Sequence, residues 1–304
     1  MFLRRFTDFT LQSYLTAMLV AFLIAFIPVI GNISIVIAAL VTLRKGIVAG
    51  ALVTVAATLP FLLSYASFSA DETEMVKVAV AILIASNVLT WSFAGILRKY
   101  NFWNLTLEVA AVVGIVIVVA VHVIYPDIQT WWQSHLGAYL NKTTTLLGVD
   151  QDPEANAAQL EMLNTMKRYA TGFVTASVLF NAMLQLILAR WWQAALFNPG
   201  GLRKELYQIR LSYVAGILFI LGLIGAYLGN DIVIDVMPIL FLVFAAAGLS
   251  LLHNFAASMS YGWILLGFVY LAIIGLFPMG IVIVAFIALA DTILNIRKRL
   301  NLTI

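Results

Sequence analysis

Few residues of this chain could do chemistry, and none forms a catalytic motif. Asn32, Asn87, Thr90, Asn181 and Gln185 interrupt otherwise apolar stretches. Carboxamides and hydroxyls donate and accept hydrogen bonds, and hydrocarbon penalises them unless they find partners. Their chemistry is therefore either contact with a polar solute or bonding between helices. Asn181 and Gln185 are four residues apart and share a helix face. Asn87 and Thr90 would complete a site beside them if their helices are neighbours. Asn32 follows Pro28, where backbone groups released from a helix are available to a ligand. Glu108 and Arg190 lie at similar depth, so an ion pair between them is within reach. In the competing account Glu108 sits against the positive end of its own helix and Arg190 snorkels to the interface.

Other chemistries lack their residues. There is no P-loop, no G-x-S-x-G and no H-E-x-x-H. The histidines His122, His135 and His253 lack metal-ligand spacing, and the chain has no cysteine. A non-enzymatic protein without metal or cofactor is expected. The net charge of +3 is weak ground for a nucleic-acid partner, and none is expected.

The elements that must position these residues are apolar helices. Hydrophobic residues make up 63% of the chain and charged residues 10%, with a mean hydropathy of +1.03. A soluble domain needs far more polar surface. The expectation is an all-α fold: a polytopic transmembrane helical bundle of eight to ten membrane segments, with Pro-broken first and last blocks, forming a single integral membrane domain over 1–304. No small-residue cleavage site follows the basic Arg4 and Arg5, so no cleavable signal is expected.

The sorted charges set the topology. Basic clusters at Arg4/Arg5, Arg44/Lys45, Arg98/Lys99, Arg190 to Arg210 and Arg297 to Arg299 alternate with acidic ones. The acidic clusters are Asp71, Glu72 and Glu74; Asp127 to Glu161; and Asp231 with Asp235. Basic loops stay cytoplasmic. The long blocks around Pro28 and Pro278 are each either one kinked helix or a helical hairpin. With two hairpins, all of the 17 Lys and Arg except Lys77, Lys142, Lys167 and Arg168 fall on the side of the N-terminus. With two single helices the split is nearly even. Ten segments are therefore predicted, at about 9–27, 30–43, 46–66, 77–97, 104–125, 169–189, 211–229, 232–253, 261–277 and 279–293, with both termini cytoplasmic. The second and last rise only ~21–23 Å against a hydrocarbon core of ~30 Å, as short segments beside a break do in solute-binding membrane proteins or as short packed helices do.

Outside the segments, Asp152-Pro153-Glu154 predicts a helix start, with Leu160, Leu163 and Met166 on one side. Trp131 and Trp132 suit the interfacial aromatic belt. Asn198-Pro199-Gly200-Gly201 predicts a turn before a short amphipathic helix. Its Arg203 and Lys204, with Arg210, are candidates for contact with anionic lipid or an acidic partner, or are plain topological anchors.

The stretch Arg190-Trp191-Trp192-Gln193 through Asn198-Pro199-Gly200-Gly201, with Leu43-Arg44-Lys45-Gly46, resembles the YybS-like family of bacterial membrane proteins, a family of unknown function. The resemblance covers most of the chain and implies a bacterial plasma (inner) membrane location. That family is distantly similar to the S-components of energy-coupling-factor vitamin transporters, which dock to a membrane partner through an alanine-every-four face on their first helix. Ala17, Ala21 and Ala25 have that spacing, although small residues also let any two helices approach closely. S-components have about six helices, so a shared fold would cover part of this chain. Two functions follow as expectations. One is solute binding or transport, with the bilayer, a membrane partner and a small-molecule solute as partners. The other is a non-transport scaffold or envelope-assembly factor.

Overall fold

The computed structural model describes residues 2–27, 30–65, 73–147 and 153–300. Pro28, Asp71, Glu72, Asp150 and Asp152 lie outside the described residues. Among the described residues there are fifteen α-helices, one short 3-10 turn and no strand. In chain order they are α1 (Phe2–Gln12), α2 (Tyr14–Ala25), α3 (Ile33–Lys45), α4 (Ile47–Tyr65), α5 (Thr73–Tyr100), α6 (Trp103–Ile124), α7 (Ile128–Leu147), α8 (Pro153–Met166), α9 (Ala170–Phe197), α10 (Gly201–Tyr207), α11 (Tyr213–Tyr227), α12 (Asp231–Ala257), α13 (Gly262–Gly275), α14 (Met279–Leu294) and α15 (Ile296–Arg299). Four of them, α5 over Lys77–Tyr100, α6, α9 and α12, are long and apolar enough to cross a membrane. Apolar side chains also crowd the surface, with Val48 and Val55 on α4 and Ile217 and Leu221 on α11 all exposed. Such a surface suits hydrocarbon rather than water.

The helices group into two compact units. The first comprises Met1–Thr106, Val178–Ile209 and Ile304; the second comprises Leu107–Ser177 and Arg210–Thr303.

In the first unit, the predicted segment 9–27 is not one helix. Ser13 leaves the helical conformation at φ −139° and ψ 156°, and its hydroxyl accepts from the Leu15 amide at 3.2 Å, an N-cap that starts α2. The bend between α1 and α2 is 119°. α1 is amphipathic: Thr7 and Thr10 are buried while Arg4, Arg5, Asp8 and Phe9 are exposed. Its buried face is tied down by Trp192 of α9, which donates to the Thr7 hydroxyl at 2.8 Å and stacks on Phe6.

α3 is the centre of this unit. Every residue from Ser34 to Leu43 is buried, as expected of a helix that is apolar all round. It packs against α2, α4 and α5. Arg98 of α5 reaches its C-terminal end and donates to the carbonyls of Thr42 and Leu43 at 3.1 and 3.0 Å, satisfying groups that a helix end leaves unpaired.

The alanine face takes a different role from the partner-docking one. Ala17, Ala21 and Ala25 are all buried, and α2 packs against α3 and α4 of the same chain. Small side chains let these helices approach closely, so the face is already covered. The exposed stripe of α2 is Leu15, Leu19 and Leu23.

In the second unit α12 packs against α14. Gly248 of α12 lies against the Val284 backbone of α14, where a Cβ would overlap the Val284 carbonyl oxygen. Phe219 of α11 is fully buried among Phe241, Phe244 and Phe286. The last apolar block is filled by two separate helices, α13 and α14. α8 starts at Pro153 as predicted and pairs with α7, where Leu163 is buried near Gly137. Leu160 and Met166 are exposed. Trp132 is held internally, donating to the Thr171 hydroxyl at 2.8 Å.

Candidate functional site

Within the first unit, α4, α5 and α9 carry four of the five predicted solute-site residues into one polar ladder. Asn181 of α9 donates to the Ser86 hydroxyl of α5 at 3.0 Å. One turn on, the Thr90 hydroxyl of α5, which also lies 2.8 Å from the Ser86 carbonyl of its own helix, is hydrogen-bonded to the Gln185 side-chain amide group at 2.7 Å. Asn87 of α5 donates to the Thr58 hydroxyl of α4 at 3.0 Å. The i, i+4 spacing of 181 and 185 meets the same spacing of 86 and 90, so two rungs form in register. Thr58, Ser86, Asn87, Thr90 and Gln185 are buried; Asn181 is more open. Asn32 is not joined to the ladder. It is the exposed residue before α3, and its side chain makes no capping bond.

The ladder is not saturated. Each carboxamide has two N–H donors and a two-lone-pair acceptor. Asn87, Asn181 and Gln185 each use one end of the carboxamide in these bonds. The other end of each is available to a further partner.

Glu108 and Arg190, the candidate ion pair, each have another partner. Arg190 makes a bidentate bond to Glu205 of α10, with Nε to Oε2 at 3.0 Å and Nη2 to Oε1. It also donates to Gln193. Trp103 donates to the same Glu205 carboxylate at 3.1 Å. Glu108 instead accepts from the Ser212 backbone amide at 2.6 Å. Depth along a helix axis could not choose between these partners. The Asn198–Gly201 turn delivers Glu205: Gly201 N donates to the Asn198 carbonyl at 3.0 Å and Gly200 has φ +82°, a conformation open to glycine.

Of the three predicted cytoplasmic cations, Arg203 and Lys204 are exposed, with Arg203 bonded to Tyr207. Arg210 is corrected: it donates to the backbone carbonyls of Asp291 and Thr292 at 3.2 and 2.9 Å. It therefore caps the end of α14 rather than facing lipid headgroups.

Two buried charge clusters were not read from the sequence. Asp291 at the end of α14 pairs with Arg297 of α15, Oδ2 to Nε at 2.9 Å, and Oδ1 accepts the Arg297 backbone amide at 3.2 Å. Arg297 also reaches the Ala247 carbonyl and the Ser250 hydroxyl of α12. Burial pushes the Arg297 guanidinium below its ordinary range and Asp291 counteracts this. The signal available was an acid six residues before an arginine, with Asn295 between them turning the chain at φ 51°. The second cluster is His122 with Asp235. They are far apart in sequence, and no local signal joined them.

No group of three or more His, Asp or Glu that could hold a metal ion is found among the described residues. Compared with family models, with curated proteins and with solved structures, the chain matches none.

Proposed function

We propose that this chain is a polytopic integral membrane protein whose first unit binds an uncharged polar solute at the α4–α5–α9 ladder. The observation that carries the reading is the convergence of three carboxamides, Asn87, Asn181 and Gln185, in one ladder where each uses only one end in a bond between helices. An uncharged solute fits because the ladder holds only carboxamides and hydroxyls. The YybS-like resemblance, with its distant S-component likeness, supports a transport-related role in a bacterial plasma membrane. A second reading has its own support: every carboxamide of the ladder already makes one bond between helices, as packing in a scaffold or assembly factor requires.

Gln185→Leu separates the two. In a solute site the variant stays folded and loses ligand. In a scaffold it loses thermal stability, by about 0.5–1.5 kcal/mol, the net worth of the one α5–α9 hydrogen bond removed, since the Thr90 hydroxyl keeps the Ser86 carbonyl of its own helix as acceptor, and there is no ligand to lose. Equilibrium dialysis against pooled small molecules, with thermal unfolding of the detergent-purified protein, reads both.

The proposed topology has ten membrane segments with both termini cytoplasmic, supported by the charge sorting. Reporter fusions at Arg44, Lys99, Gly201 and the C-terminus are expected to read cytoplasmic, and fusions within 70–74 and 150–156 external. A C-terminus read outside would make 261–290 a single crossing and contradict the ten-segment count.

A further inference from the structure

The geometry points to a divalent-metal site in the second unit, where a zinc-class ion is held by Nε2 of His122 on α6 and Oδ2 of Asp235 on α12. The two atoms lie 3.7 Å apart, and their side chains are 9% and 3% exposed. His122 Nδ1 lies 3.1 Å from the Val118 backbone carbonyl. A carbonyl oxygen only accepts, so Nδ1 is the nitrogen that donates. Nε2 is left as the ligating atom of the ring. It is buried, and among the described residues it has no hydrogen-bond partner. His253 makes the same bond from Nδ1, to the Leu249 carbonyl at 2.8 Å, but its Nε2 meets the Tyr270 hydroxyl at 3.2 Å. His122 Nε2 faces a carboxylate oxygen instead, which is also an acceptor. Two buried acceptors that face each other call for a cation between them.

The dimensions and the outer bonds fit such an ion. Zinc binds imidazole nitrogen and carboxylate oxygen at ~2.0–2.2 Å. An ion at ~2.1 Å from both atoms sits off the line that joins them, with an angle at the metal of about 125°. That lies close to the tetrahedral and trigonal values. Metal-bound histidines donate their other ring N–H to a carbonyl or carboxylate, and ligating carboxylates are themselves hydrogen-bonded. Both outer bonds are in place. Val118 O serves His122, and the Gly172 amide of α9 donates to Asp235 Oδ1 at 2.6 Å, which leaves Oδ2 for the ion. A nitrogen ligand selects against magnesium and calcium, which take oxygen shells. Two protein ligands leave the remaining positions to water, so the ion is exchangeable, unlike one in a closed structural site. One turn before Asp235, Asp231 pairs with Arg168 at 2.9 Å, and both are substantially exposed. The site therefore lies one turn in from a polar, open end of α12, with a carboxylate on the way. Its ligands come from different helices, so no spacing along the chain announces it. This inference does not depend on the solute reading.

The experiment is thermal unfolding of untagged, detergent-purified protein, freed of metal by a chelator and titrated with zinc chloride at one fixed pH. Zinc is expected to raise the unfolding temperature by several degrees, since an ion that binds only the folded state adds to its stability. Magnesium is expected to leave it unchanged. Asp235→Asn, which keeps an acceptor for the Gly172 amide, and His122→Gln are each expected to abolish the zinc shift. His135→Gln, on α7, is expected to retain it. No zinc shift in the unaltered protein overturns the proposal, and so does a shift kept by either folded variant of the pair. X-ray absorption of zinc-loaded His135→Gln protein decides independently if Asp235→Asn or His122→Gln fails to fold. An imidazole nitrogen together with oxygen around the zinc is expected, and a shell of oxygen alone overturns the proposal.

Discussion

Asp291→Ala is expected to lower the stability of the protein by about 3–5 kcal/mol, the loss typical when one partner of a buried ion pair is removed. Asp291 is 2% exposed and Arg297 8%, so the guanidinium left behind cannot turn to water without unpacking α15. The carboxylate answers both the Arg297 backbone amide and its Nε, whereas the contacts to Ala247 O and Ser250 Oγ are long at 3.4 and 3.3 Å and carry no opposite charge. The nearby Arg210, which caps the same helix end, adds repulsion once the negative charge is gone. Replacing both partners, Asp291→Leu with Arg297→Met, is expected to recover much of the loss, because no buried charge then remains unpaired. Thermal unfolding in detergent checks this; equal instability of the single and double variants would show that the pair's charge is not what matters.

Gly248→Leu is expected to have a comparable effect by a different route. The group a new side chain meets is the Val284 backbone, not the movable tip of a side chain. Relief requires α12 and α14 to separate, so the cost should lie at or above the top of the usual overpacking range of about 1–3 kcal/mol. Gly267 of α13 is the control, since a Cβ there meets nothing within 4 Å. Gly267→Ala removes a flexible residue from a helix interior and is expected to be neutral or to stabilise by about 0.5–1 kcal/mol. Unfolding temperatures of the two variants give the comparison.

The helices were largely legible because their signal is local. Apolar runs bounded by charges placed the segment at 104–125 on α6, Trp103–Ile124, and the one at 279–293 on α14, Met279–Leu294. One boundary was lost at the first segment. Ser13 closes the polar-rich stretch that includes Thr7, Asp8, Thr10 and Gln12, and its β-region backbone and its cap to Leu15 make α1 and α2 separate. The sequence places the end of the segment at 169–189, just before Arg190, whereas Trp191 to Phe197 continue the helix and Arg190 is held by Glu205.

The site was legible where periodicity sufficed. Asn181 and Gln185 against Ser86 and Thr90 is a match of two i, i+4 pairs. Partner choice across helices was not legible. Spacing shows which residues share a face, not which helix that face meets. Ala17, Ala21 and Ala25 therefore turned out covered by α3 and α4, and Arg210 and His122 found partners that no spacing names.

The central claim is that the α4–α5–α9 ladder holds a polar solute. Native mass spectrometry of the protein released from detergent, with and without Gln185→Leu, tests it most directly. The account predicts a discrete added mass on the unaltered protein that is absent from a folded Gln185→Leu variant. Bare protein in both samples after exposure to the solute pool, together with a lower unfolding temperature for Gln185→Leu, would contradict it and leave the ladder as packing between helices.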